Sequence, residues 1–582
     1  MATVTDILAR RPARAGERDP LPGVMIGAAI LACIAVASLL VVIFWLSFTS
    51  GTPGAELDYT LANYADMFLD RVTWLVIGNT FGFAGVTLCV ALAIGLPMAW
   101  LIERTDFPGK RVVFTLFTVA LLLPGFSVAL GWLFLLNPRV GAINHLVMAL
   151  FGLAEAPFNV STVMGMGMVE GLSLTPVIFI MTSIVFRSMD ASLEEAARMG
   201  GATLWQTLCR VTLPVAWPGI LAASIYVFAI GFAAFDIPAI LGMSNRIYTF
   251  STYVYHNINP DGGLPEYGLV AALSMFMLCF AVAMTIWYSR VQRQAPRYAV
   301  VTGKSYRPSI VKLGRRKPLA VGFVVTYFTV AQLLPVLMLI WASGLPYLQP
   351  LSAAAFDNLT WQNYTDLQSD VVVLGIKNTA TLMVLVPTIA VTLALGISWV
   401  VLRSKLRFRA VVEFFAFLPH TIPPIVFSVA AWLLALFVLS EIFPIYGTIW
   451  ILVLVYVVQR ISYCTRMTNS AMIQVHKELE ESATICGAAT AGVMRRVLVP
   501  LLLPAMMYAW IWTALLAYRE LTLPVVLTTA GNQTLSMVVW GLVQTSAFGP
   551  ASAVALIMVV LMLPILVLYW TIARRTGIVP AG

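Results

Sequence analysis

Long apolar runs alternate with short polar loops along the whole chain. Each run is apolar over about 20 residues or more, the length that an α-helix needs to cross the hydrocarbon core of a bilayer. In the first half of the chain the runs lie near 24–48, 74–102, 112–136, 160–186, 215–241 and 267–289. In the second half they lie near 319–343, 373–402, 412–439, 446–466, 501–529 and 551–573. This pattern predicts an all-α polytopic membrane protein with about twelve transmembrane helices.

Composition agrees with this prediction. Of the 582 residues, 60% are hydrophobic and 10% are charged, whereas a soluble domain carries about 25% charged residues. The first run is longer than the apolar core of a signal peptide, about 7–15 residues, so we expect it to be a retained span. The six cysteines are scattered and the four histidines lack ligand spacing. We therefore expect free thiols, no metal site and no catalytic residues.

Lysine and arginine are concentrated in particular loops. The stretch 290–317 and the loop 403–409 are rich in them, whereas the loops 49–73 and 344–372 are acidic. Because basic loops stay on the cytoplasmic side, we expect a multi-pass protein of the bacterial inner membrane with both termini cytoplasmic. Most of the net charge of +9 is then explained by the basic residues of the cytoplasmic loops, which set the orientation of the spans.

The same reasoning assigns the segments outside the spans. We expect 1–23 to be a cytoplasmic N-terminal segment, 290–318 a basic linker that contacts anionic lipid, and 574–582 a cytoplasmic tail. Nucleic acid is not an expected partner. Gly303-Lys304 does not complete a phosphate loop, because the position that requires the first glycine is Tyr298.

The two halves are copies of each other. Residues 194–202 read EEAARMGGA, and 286 residues later the sequence reads EESATICGA. Asn79-Thr80 and Asn378-Thr379 also correspond. We therefore predict permease domains at 24–289 and 319–573. Each contains six spans, so the copies have the same orientation and are related by a pseudo-two-fold axis along the membrane normal.

The repeated motif falls in two loops, 187–214 and 467–500, which we predict to be cytoplasmic and to contain short helices. In both, the motif resembles the signature loop of binding-protein-dependent ABC importer permeases, of type I. In that family the loop is the coupling helix that contacts the ATPase, although the same residues could merely turn the chain between spans. The residues to which the resemblance assigns ATPase coupling are Glu194, Glu195, Ala196, Ala197, Gly201, Glu480, Glu481, Ser482, Ala483 and Gly487.

The resemblance also implies partners and a mechanism. The chain is a transport subunit without an ATPase site of its own, so ATP and Mg²⁺ are bound by a separate ABC ATPase, present in two copies. An external, periplasmic substrate-binding protein delivers the solute. Transport proceeds by alternating access, in which the two halves rock about a central cavity.

Charged residues inside spans are costly and are functional hypotheses by default. Asp236 and the run Tyr518-Arg519-Glu520 lie just beyond the two coupling loops, at nearly equivalent positions in the repeat. We predict that they line the translocation path or form a gate. The alternative is a structural ion pair between Asp236 and Arg519.

The substrate is assigned only by resemblance. The fused layout, the segment 235–240 (FDIPAI) and the Arg519-Glu520-Leu521 segment resemble the ferric-iron branch of these importers. Thiamine, aminoethylphosphonate and polyamine importers have related permeases and stay open as alternatives. A secondary transporter driven by an ion gradient is the rival class, but it would not be expected to carry two matched coupling loops.

Overall fold

The computed structural model describes residues 19–53, 56–190, 192–260, 263–294 and 310–575. Within these ranges the chain is almost entirely helical, with one small antiparallel hairpin of Thr49–Ser50 and Asp58–Tyr59. Most of the predicted N-terminal segment, the middle of the basic linker and most of the C-terminal tail lie outside the described residues.

Ten helices in the described ranges are long and apolar enough to cross a membrane, and two bent helix pairs bring the number of spans to twelve. This confirms the predicted number. Spans 1 to 6 are Leu21–Ser47, Arg71–Arg104, Lys110–Ala120 with Gly125–Leu136, Val163–Ser188, Leu204–Ala233 and Tyr267–Gln294. Spans 7 to 12 are Gly314–Ser343, Ser369–Arg403, Arg409–His420 with Pro424–Leu439, Ile449–Gln474, Thr490–Tyr518 and Phe548–Arg575.

Spans 3 and 9 differ from the continuous runs that the sequence predicts. Each consists of two helices that meet at a sharp bend, of 95° in span 3 and 109° in span 9. The bends fall at Pro124 and at Pro423-Pro424. Proline has no N–H to donate and disfavours a helical residue before it, so the carbonyls at each bend are left without helical partners.

Spans 5 and 11 also end earlier than predicted, at Ala233 and Tyr518. Short helices then resume at Asp236–Leu241 and Pro524–Leu527. The predicted path residues therefore lie at breaks between helices, where backbone groups are free to bond to side chains.

The remaining helices are short and lie in the connections between spans. In the first half they are Ala62–Leu69, Ala142–Phe151, Ser192–Met199, the 3-10 turn Met243–Asn245, and Phe250–Ile258. In the second half they are Ala353–Asp357, Gln362–Thr365, Lys477–Ile485 and Leu535–Gln544.

The repeat extends to individual hydrogen bonds. In span 2, Asn79 donates to the carbonyl of Tyr248 at 3.1 Å, and in span 8, Asn378 donates to the carbonyl of Gln533 at 2.9 Å. The threonine after each asparagine accepts a bond from the first N–H of the next short helix. These bonds hold the starts of the short helices Phe250–Ile258 and Leu535–Gln544 against spans 2 and 8 in the same way in both halves.

The first span of each half packs against helices of the opposite half. Span 1 packs against spans 8 and 9, and Met25 lies against Gly396 of span 8. In span 7, the hydroxyl of Tyr327 donates to the carbonyl of Leu172 in span 4 at 3.0 Å. The two halves are therefore interlocked.

The end of the linker is fixed beside the first coupling loop. Val311 forms a parallel β-bridge with Thr105, just after span 2. Asp106 accepts a bond from the N–H of Leu313 at 2.7 Å and pairs with Lys317 at 2.8 Å. These two interactions hold the pKa of the Asp106 carboxyl below its usual value.

Candidate coupling loops and translocation pathway

Both coupling loops contain the short helix that the sequence predicts. These helices, Ser192–Met199 and Lys477–Ile485, are each followed by a glycine in the left-handed region, Gly201 at φ +85° and Gly487 at φ +84°. The N–H after each glycine bonds to a carbonyl five residues earlier, and the glycine N–H to one three residues earlier. This is the Schellman motif, which satisfies the last carbonyls of a helix.

A buried arginine holds the first coupling helix in place. Arg104, the last residue of span 2, lies 3.9 Å from Glu194, and their side chains are only 1% and 4% exposed. The same carboxylate accepts a 2.8 Å hydrogen bond from Thr212, and Arg104 also donates to the carbonyl of Met189. The coupling helix is thereby joined to spans 2, 4 and 5.

The second half repeats this arrangement. Arg403, the last residue of span 8, pairs with Glu480 at 2.6 Å and donates to the carbonyls of Met472 and Val475. Glu194 and Glu480, which the resemblance assigns to ATPase coupling, pair with arginines of this chain and so position the coupling helices.

The other predicted coupling residues lie at the surface. Glu195, Ala196, Glu481 and Ser482 are exposed, whereas Ala197 and Ala483 are half-buried against the loop. Large apolar side chains stand at equivalent positions of the two helices: Met199 is 84% exposed and Ile485 is 86% exposed. Exposed apolar side chains at a polar surface are typical of contact sites.

A cavity of about 1050 Å³ lies between the two halves. Its walls come from spans 3, 4, 5 and 6 of the first half, and from spans 7, 9 and 10 and the break after span 11 of the second half. It extends from Asp236 to Tyr288, Ser289, Ala410 and Glu413, which lie at span ends on the side of the coupling loops. The cavity is therefore open toward that side.

Asp236 and Thr522 meet between the halves. They occupy equivalent positions, 286 residues apart, and Thr522 donates a hydrogen bond of 3.0 Å to the Asp236 carboxylate. Gly125, at the bend of span 3, leaves room for this carboxylate, because a Cβ there would lie 3.2 Å from it. The bond lies at the pseudo-two-fold axis.

Of the other predicted path residues, the structure brings Arg519 and Glu520 to the same region but not Tyr518. Arg519 does not form the direct ion pair with Asp236 that the sequence allowed; it donates to the carbonyls of Leu121 and Leu123 at the bend of span 3. Glu520 pairs with Arg460 at 2.6 Å. Tyr518 is buried and donates to the carbonyl of Met558, away from the cavity lining.

Several ionisable cavity residues were missed in the sequence, among them Glu170 in span 4 and Arg460 in span 10. Both are ionisable residues inside predicted spans, so the signal that selected Asp236 could also have found them. Arg104 and Arg403 were recognised only as markers of the repeat; their role depends on contacts that sequence spacing does not show.

The opposite side of the cavity is closed by aromatic residues from both halves. Trp540 donates a 3.3 Å hydrogen bond to the hydroxyl of Tyr255, and Phe235 packs on both rings at 5.5–5.9 Å. In the described part of the chain, no cluster of His, Cys, Asp or Glu could hold a metal ion with three or more ligands.

Twelve spans in two parallel repeats, two matched surface loops and a cavity between the repeats define a membrane-transport permease. The chain belongs to the family described as "Binding-protein-dependent transport system inner membrane component", which it matches twice, over residues 91–295 and 390–578. It is the importer's permease subunit, and ATP hydrolysis is carried out by a separate subunit.

Relatives match the chain at low identity. The ferric transport system permease protein FbpB of Actinobacillus pleuropneumoniae is 24% identical over 89% of this chain and 76% of its own length. A putative ferric transport system permease protein of Haemophilus influenzae is 24% identical over 86% of this chain and 78% of its own. The molybdenum transport system permease protein ModB of Escherichia coli is 24% identical and covers 39% of this chain and 98% of its own.

Proposed function

We propose that this chain forms the membrane pathway of a ferric-iron importer. The observation that carries the proposal is that two ferric transport permeases align with more than four fifths of the chain, across both repeats. The molybdenum permease, by contrast, aligns with the length of about one repeat.

The two coupling loops are the proposed docking sites for two copies of a cytoplasmic ABC ATPase. Their support is the matched geometry of the loops and the exposed side chains of Met199 and Ile485. ATP and Mg²⁺ are then bound by the ATPase, and this chain carries no cofactor. The loops and both termini lie on the cytoplasmic side of a bacterial inner membrane, and an external binding protein delivers substrate to the opposite side.

The proposed transport cycle is alternating access. With the cavity open toward the coupling loops and closed by Tyr255 and Trp540, the present structure corresponds to the inward-facing state. Closure of the ATPase dimer brings the loops together, separates the aromatic residues and opens the cavity to the binding protein. The ion pairs of Arg104 and Arg403 with the coupling helices transmit this motion from the loops to spans 2 and 8.

Docking is tested by co-purifying the chain with its ATPase. The variant Met199→Asp/Ile485→Asp places charge at the tip of each coupling helix, and we expect loss of both ATPase copies; either single substitution should leave one. The control, Leu61→Asp/Leu351→Asp, changes two exposed leucines on the opposite side. Wild-type binding by the double tip variant would contradict docking at these helices.

The substrate is tested by uptake of radioactive iron into cells that produce the chain, its ATPase and its binding protein. ATP-dependent uptake of iron, competed by ferric salt but not by thiamine, aminoethylphosphonate or polyamine, supports the assignment. Uptake of one of those solutes instead of iron would overturn the assignment but leave the importer mechanism intact.

A further inference from the structure

Glu170 is a buried carboxyl group that has neither a hydrogen-bond partner nor an ion-pair partner among the described residues. It lies in span 4, is 8% exposed and lines the cavity. No other described residue offers it a hydrogen bond, and none forms an ion pair with it within 4.0 Å. A charged carboxylate in this environment is expensive unless it takes up a proton or something in the cavity compensates its charge.

The basic residues nearby form their ion pairs and hydrogen bonds with other groups, although the charge of Arg519 is close enough to act on Glu170 and Asp236. Arg460 is paired with Glu520 at 2.6 Å. Arg519 donates to the backbone carbonyls of span 3 and forms no ion pair with Glu170 or Asp236 within 4.0 Å. Three acidic and two basic side chains thus meet here, and the two carboxylates without an ion pair both line the cavity.

Other oxygen atoms without hydrogen-bond partners belong to residues that line the same cavity. The hydroxyl of Ser173, about one helical turn from Glu170 on span 4, is buried and has no hydrogen-bond partner among the described residues. The side-chain carbonyl of Gln332 in span 7 is in the same situation, and both residues line the cavity. Carboxylate, carbonyl and hydroxyl oxygens are the ligands that hard cations prefer.

We propose that Glu170 and Asp236, assisted by the hydroxyl of Ser173, form a binding station for a hard, highly charged cation inside the cavity. The identity of the cation as ferric iron rests on the proposed function, whereas the station itself rests on the geometry. With no more than five protein oxygens, the station leaves part of the coordination shell to water, which suits a site that must release its ion.

Binding is tested with Tb³⁺, a trivalent cation that prefers oxygen ligands. The purified chain in detergent is dialysed against Tb³⁺, and bound metal is counted for the wild type, Glu170→Gln, Asp236→Asn and Glu155→Gln. We expect the wild type to bind one ion, and Glu170→Gln and Asp236→Asn to bind it at least tenfold more weakly than the wild type does. Glu155→Gln, which removes an exposed acid outside the cavity, should match the wild type.

Thermal unfolding with and without Tb³⁺ shows whether each variant is folded, since bound ion raises the midpoint of a folded chain. A midpoint that Tb³⁺ raises equally in the wild type and in folded Glu170→Gln would overturn the station, as would equal metal content.

Iron uptake separates the two proposals. If the wild type imports iron and Glu170→Gln imports it at the same rate, the station is overturned and the proposed function stands. Suppose instead that the wild type imports no iron, and that the Glu170→Gln substitution abolishes the Tb³⁺ binding seen in the wild type. The station then stands and the assigned substrate is wrong.

Discussion

At the scale of single residues, the paired arginines connect the coupling loops to the spans. Arg104 and Arg403 both end a span and both bond to a glutamate of the coupling helix. The first pair is the more buried of the two. Removing one member of a buried pair leaves the other charge without compensation, which costs far more than the pair contributes.

We expect Arg104→Ala to destabilise the first coupling loop strongly, because it strands Glu194 in a buried site; the loss should be about 3–5 kcal/mol. Thermal unfolding of the purified chain and co-purification of the ATPase measure it. Arg187→Ala is the matched control: its pair with Glu103 is exposed on the arginine side, so the loss should be about 0–1 kcal/mol. Equal effects of the two substitutions would contradict the positioning role of Arg104.

The glycines after the coupling helices have a purely conformational role. A Cβ on Gly201 or Gly487 would meet no atom within 4 Å, so substitution causes no clash. The left-handed conformation itself costs a non-glycine residue about 1–2 kcal/mol. Gly201→Ala should therefore weaken ATPase binding, measured by co-purification, whereas Gly200→Ala, at the preceding position outside the left-handed region, should not. Equal binding by the two variants would contradict this account.

At the scale of elements, the sequence predicted what depends on local pattern. Twelve apolar runs and two matched loops could be read directly. The bends of spans 3 and 9 could not, because proline alone does not decide them: Pro97 and Pro176 lie inside unbroken helices of spans 2 and 4. The environment of Glu170 could not be predicted from the sequence either, because it depends on where Arg460 and Arg519 direct their side chains.

The two coupling loops differ in one capping residue. In the first loop, Thr203 and Gln206 form a capping box at the start of the helix that leads into span 5. The equivalent residue of the second loop is Ala489, which has no side-chain cap. There Asp19, just before span 1, accepts a 2.9 Å bond from the N–H of Ala491.

We expect Asp19→Ala to loosen the second coupling loop, because it removes this cap supplied from the opposite half. Hydrogen exchange at residues 490–493 should become faster, by an amount equivalent to about 0.5–2 kcal/mol. Asp19→Asn keeps an acceptor oxygen and should exchange nearly as the wild type does. Unchanged exchange in Asp19→Ala would show that the bond does not stabilise the loop.

At the scale of the whole molecule, the repeats share a fold but divide the chemistry. The first half contributes the acids Glu170 and Asp236 to the cavity. The second half contributes all of the cavity's basic side chains and two further acids, namely Arg460, Arg466, Arg519, His420, Glu413 and Glu520. The equivalents of Asp236 and Glu170 in the repeat are Thr522 and Tyr456. The coupling loops are therefore symmetric, whereas the two walls of the cavity differ chemically. Both ATPase copies can act on the chain in the same way, while the transport path favours one kind of ion.

The inward-open state makes a prediction about access that involves the whole molecule. In a background without the native cysteines, Ser173→Cys places a thiol deep in the cavity, and Thr545→Cys places one on the exposed far side. In the absence of nucleotide, an impermeant thiol reagent should reach position 173 only from the coupling-loop side and position 545 only from the other. In a complex trapped with ATP, position 173 should become reactive from the far side, because closing the ATPase dimer separates Tyr255 from Trp540. Labelling of position 173 from the far side without nucleotide would mean that the aromatic residues do not close the cavity.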